Sequence, residues 1–95
     1  IGETYRMTLR VKGPEKEVRQ IIRDIDGTRY CECIGTKEPD TFDFLVESDR
    51  KTDIRPALFT RMAKQDMPIM MMKPMDMTLE DIFLQLTQDS DQAQQ

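Results

Sequence analysis

The sequence predicts an α+β domain of four strands and two helices in the order βαββαβ, with a third helix appended at the C-terminus. Three observations predict it. Stretches of period-two alternation are separated by two stretches of helical spacing. Glycine and proline stand between them as punctuation. The polar positions of the first and third alternating stretches also carry opposite charges, as neighbouring antiparallel strands would.

The first strand is TYRMTLRVK, residues 4–12. Tyr5, Met7, Leu9 and Val11 share one face, while Thr4, Arg6, Thr8, Arg10 and Lys12 share the other. Gly13-Pro14 breaks it, with Pro14 placed for the first turn of a helix. From Glu15 the apolar positions are Val18, Ile21, Ile22 and Ile25, a helical stripe that Gly27 is expected to close as a left-handed C-terminal residue. RYCECIG (29–35) reads as the second strand and TFDFLVES (41–48) as the third, joined by a turn that holds Pro39. On the third strand Phe42, Phe44 and Val46 share one face, and Thr41, Asp43, Leu45 and Glu47 share the other. DIRPALFTRMAKQ (53–65) places Ile54, Leu58, Phe59 and Met62 at helical spacing, with Asp53 as its cap and Pro56 in the first turn. PIMMMK (68–73) is the fourth strand, stopped by Pro74.

Two βαβ units with right-handed crossovers give the ferredoxin-like arrangement: four antiparallel strands with both helices on one face. The first and third strands are then central neighbours. If Phe42 and Phe44 face the helices, Asp43 and Glu47 meet Arg6 and Arg10 on the other face, and that face is a charge lattice. Residues 4–88 form this single domain with its closing helix at 78–88. Residues 89–95, rich in Gln, Asp and Ser, are expected to be disordered.

Composition excludes several functions. The 95 residues include 14 Lys and Arg against 18 Asp and Glu, a net charge of −4 with a pI near 4.8, which argues against a nucleic-acid partner. RNA-recognition motifs share the element order and carry aromatics on the third strand. Here Asp40-Thr41 stand where Lys/Arg-Gly is wanted, and Asp43 lies between the rings. The sequence contains no histidine, the commonest general base and metal ligand. Neither GxxxxGK[ST] nor GxGxxG occurs. The carboxylate pairs Asp24 with Asp26 and Glu80 with Asp81 fit helix termini, so the chain is read as no enzyme. Cys31 and Cys33 have no second pair to complete a zinc site and are read as core, in a reducing compartment. The methionines of the fourth strand are split between its faces, Met70 with Met72 and Met71 with Ile69, so they are read as packing and not as a copper(I) site. No cofactor or metal is expected in this chain. No apolar run approaches the roughly 18 residues of a membrane span.

The closing stretch MTLEDIFLQLT (77–87) places Leu79, Ile82, Phe83 and Leu86 on one helical stripe, behind a capping pair of Thr78 and Asp81. A helix this short needs a surface. That surface is either its own domain, at a sheet edge or the helix layer, or a partner. Leu79, Phe83 and Leu86 are the expected docking residues.

This stretch resembles the end of bacterial ABC-transporter ATP-binding subunits of the drug, antibiotic and gliding-motility exporter type. Those chains finish in a strand, a proline-containing joint and Leu-Glu-Asp-[Val/Ile]-Phe-[Leu]-x-Leu-Thr. Pro74, Leu79, Glu80, Asp81, Ile82, Phe83, Leu84, Leu86 and Thr87 stand at those places. The resemblance is specific over the last fifth of the chain and a matter of pattern elsewhere. It implies a regulatory or assembly domain without catalytic residues, contacting the nucleotide-binding domain of its own subunit or of a dimer mate, and the membrane permease only indirectly. ATP and Mg²⁺ would be bound upstream, the location would be the cytoplasmic face of the inner membrane, and residues 1–3 would end the linker. The residues themselves leave a second reading open, an independent ACT-like module that senses a small ligand.

Overall fold

The computed structural model describes residues 4–75. They form β1 (Thr4–Lys12), α1 (Glu15–Asp24), β2 (Thr28–Gly35), β3 (Thr41–Asp49), α2 (Arg55–Lys64) and β4 (Ile69–Pro74). The four strands make one sheet in the order β2-β3-β1-β4, antiparallel throughout, consistent with the ferredoxin-like class. The closing helix at 78–88, the docking residues Leu79, Phe83 and Leu86, and the tail at 89–95 lie outside the described residues. No helix among the described residues is long and apolar enough to cross a membrane.

One core fills the space between the sheet and the two helices. Met7, Leu9 and Val11 of β1, Phe44 and Val46 of β3 and Cys31 of β2 meet Val18 and Ile22 of α1 and Leu58 and Met62 of α2, all buried. Every one of these strand residues sits on the face that alternation assigns to the core. Tyr5, Ile21, Cys33 and Phe42 pack around them, partly buried.

The structure departs from the sequence reading in four places. First, α1 ends at Asp24, with Ile25 extended beyond it, so Gly27 does not close the helix. Gly27 instead takes a φ of +100° in the turn before β2, where its carbonyl accepts from the Asp49 amide at 2.8 Å. A Cβ there would come within 2.9 Å of Thr52, so the position needs glycine for space as well as for φ.

Second, Phe59 is half exposed, although it fits the helical spacing of Leu58 and Met62. α2 turns Leu58 and Met62, with Ala57 beside them, toward the core, and Phe59 lies outside that stripe. Third, α2 begins at Arg55, and Asp53 stands one residue before the cap position. Its carboxylate still accepts from the Arg55 amide at 3.0 Å, and the Arg55 guanidinium folds back onto it. That pairing holds the Asp53 carboxyl down at about 2.

Fourth, the fourth strand does not keep strict alternation. Val11 pairs with Ile69 but Arg10 pairs with Met71, so Met70 is an extra residue in a β-bulge. The bulge turns both Ile69 and Met72 toward the core and leaves Met70 48% exposed on the edge strand.

Candidate functional site

The face of the sheet turned away from the helices is built by β1 and β3 at its centre. Their register sets Arg6 opposite Glu47, Thr8 opposite Leu45 and Arg10 opposite Asp43. Arg6 Nε donates to Glu47 at 3.1 Å. Arg10 grips Asp43 with two parallel bonds, Nε at 2.8 Å and Nη2 at 3.1 Å, and gives Nη1 to Glu38. The expected lattice of opposite charges is therefore present. The hydrogen bond it donates to Asp43, followed by that to Glu38, raises the Arg10 pKa further above its ordinary range, so the guanidinium is permanently charged.

The two ion pairs differ in environment. Asp43 is 3% exposed, although it lies on the polar face of its strand, because the Arg10 side chain covers it. The Arg6–Glu47 pair is half in solvent, the kind of pair that contributes little.

Apolar groups stand between and around the charges. Leu45 lies at the middle, next to Thr8. On β2, Tyr30 pairs with Glu47, and its hydroxyl donates to Glu32. Ile34 lines a shallow hollow with Thr8, Arg10, Met71 and Lys73. Tyr30 and Ile34 are 44% and 55% exposed, high values for side chains of this size. At the opposite edge the Thr8 hydroxyl donates to the Met75 thioether at 3.0 Å. Sequence reasoning found the charges of this face and placed Leu45 among them, and it missed Tyr30 and Ile34. The signal was available: once Cys31 is core, Tyr30 and Ile34 must point the other way.

On this face arginines hold Asp43, Glu38 and Glu47, Glu32 accepts from Tyr30, and no group of three His, Cys, Asp or Glu that could hold a metal exists among the described residues. The cysteines are on the helix side, as expected. Burial pushes the Cys31 thiol up to about 11 and raises Cys33 as well, so neither is a ready thiolate nucleophile.

The Cys31 shift has a consequence for stability. Between the ordinary value of 9.0 and about 11 the unfolded chain releases this proton while the folded one keeps it. The folded state therefore has its full advantage below pH 9 and loses it as pH rises through about 11, by on the order of 2 kcal/mol. Urea unfolding of wild type and Cys31→Ala across that window checks this. The wild-type stability is expected to fall more steeply with pH than that of the variant, and parallel slopes would show that Cys31 titrates alike in both states.

The helix layer has its own hollow, between α1 and α2, crossed by the Arg61–Asp24 bridge at 3.3 Å. Gln20, Ile21, Asp24, Arg61, Lys64 and Gln65 line it, and a single apolar side chain among them gives a small ligand little to bind.

No known protein family matches the sequence, and no curated protein is significantly similar to it.

Proposed function

We propose that this chain is a non-catalytic interaction domain carried at the C-terminus of the ATP-binding subunit of an ABC exporter of the drug, antibiotic or gliding-motility type. The observation that carries the reading is the stretch Leu-Glu-Asp-Ile-Phe-Leu-Gln-Leu-Thr after Pro74, at the spacing with which such subunits finish. The chemistry of the domain supports it. The arginines Arg6 and Arg10 of the sheet face are engaged by Glu47, Asp43 and Glu38, and burial raises the thiol pKa values. A chain without a phosphate loop gives ATP and Mg²⁺ no cradle, so nucleotide belongs to the domain upstream. The domain then works by contact, with the nucleotide-binding domain of its own subunit or with a dimer mate, at the cytoplasmic face of the inner membrane. In this reading the described fold is the ferredoxin-like one, closed by a helix at 78–88.

The test is the natural protein that contains Ile1. An upstream sequence with GxxxxGK[ST] and an LSGGQ-like stretch supports the reading. A natural chain starting within a few residues of Ile1 overturns it and leaves the ligand-sensing module in its place.

A further inference from the structure

We propose that residues 77–87 dock on their own domain, across the sheet face turned away from α1 and α2, with Leu79, Ile82, Phe83 and Leu86 against Leu45, Ile34 and Met71. This goes beyond the transporter reading and does not depend on it.

The direction of the chain is the first argument. The Met75 amide donates to the Arg6 carbonyl at 2.8 Å, which prolongs the β4 pairing by one residue. The Met75 thioether takes the Thr8 hydroxyl, and Thr8 lies on the face away from the helices. The chain therefore reaches residue 76 with Met75 already laid on that face, at its β4 edge. Reaching the helix layer would require the next residues to turn back around that edge.

Length is the second. Nine helical residues, 79 to 87, span about 13 Å at 1.5 Å each. Four strands spaced about 4.8 Å apart are about 14 Å across. A helix crossing the strands over Thr8 and Leu45 thus runs from Lys73 on β4 to Glu32 on β2, with Met71 and Ile34 along one flank and Met75 and Tyr30 along the other. The apolar groups of the face flank that course, and Tyr30 and Ile34, 44% and 55% exposed, offer it area to cover.

Charge is the third. Residues 76–95 hold five acids and no cation, whereas residues 4–75 hold 14 cations against 12 acids. That difference draws an acidic segment toward the domain as a whole. On the face itself Lys73, Arg6 and Arg10 stand beside Glu32, Asp43 and Glu47, so charge supports docking on the domain and leaves the face to the chain direction.

Methyl–methyl cross-peaks in an isotope-labelled sample of the full 95-residue chain test the proposal. Peaks from Leu79, Ile82 and Leu86 to Leu45, Ile34 and Met71 are expected. Phe83→Asp, which changes no core residue, should abolish them while the methyl shifts of Val18 and Leu58 stay in place. Peaks to Ile21 or Phe59 on the helix layer, or no peaks beyond residue 75, would overturn it. So would peaks that appear only between labelled and unlabelled chains, since the occupant would then be a second copy.

Discussion

Phe44→Ala is expected to remove most of the stability of the domain, about 3 to 5 kcal/mol. Phe44 is fully buried at the middle of β3, paired with Leu9 on β1 and Cys33 on β2, in the one core that sheet and helices share. The truncation leaves a void the size of a ring. Its neighbours on either side are held in register by backbone hydrogen bonds and cannot collapse into the space. A domain of this length has a total stability of about 5 to 10 kcal/mol, so the variant stands close to its unfolding threshold in buffer alone. Phe59→Ala is the matched control, the same atoms removed from a side chain 51% exposed. Its cost is expected to stay near 0.5 kcal/mol. Urea unfolding compares the two. Phe44→Ala should move the midpoint far down at unchanged slope, and equal midpoints would show that burial does not separate these two rings.

The contrast between those phenylalanines also marks how far the sequence could be read. Both fit a periodic pattern. Alternation placed Phe44 correctly because a strand has only two faces, and Val46 and Asp43 on either side leave no ambiguity. A helix offers a continuous circle, and a stripe that includes both Leu58 and Phe59 is wider than the strip α2 buries. The pairing of Arg6 with Glu47 and of Arg10 with Asp43 was legible for a similar reason. Two independent alternations, laid antiparallel, bring those charges opposite each other at a single register. The bulge at Met70 was not legible, because period-two reading assumes that no residue is inserted, and "IMMMK" is apolar whichever way it is phased. What Tyr30 and Ile34 do on the sheet face was hidden differently. β2 is an edge strand whose polar positions are not all polar, and only the three-dimensional neighbours Thr8, Met71 and Lys73 reveal that Ile34 belongs to a shared surface.

Of the two ion pairs on that surface, Arg10–Asp43 is the one whose loss will be felt. Arg10→Met is expected to lower the midpoint of unfolding by clearly more than Arg6→Met, though both remove one arginine from the same strand and face. The reason is what each leaves behind. Glu47 keeps access to water when Arg6 is removed, its side chain being 23% exposed, whereas the Asp43 side chain is 5% exposed and would be left buried without its partner. An uncompensated buried charge is destabilising well beyond the net worth of the pair that contained it. The same argument predicts recovery in the double variant. Arg10→Met with Asp43→Leu removes both charges and puts apolar side chains at adjacent, directly opposed positions of β1 and β3. Glu38, the other partner of Arg10, is 44% exposed and is simply hydrated once released. The double variant should therefore unfold later than Arg10→Met alone and approach wild type, as replaced buried pairs generally do. Measured as a double-mutant cycle, a strong coupling between positions 10 and 43 and a weak one between 6 and 47 is the expected result. Additive effects at 10 and 43 would mean that Arg10 acts through its packing over the sheet and not through the carboxylate it covers.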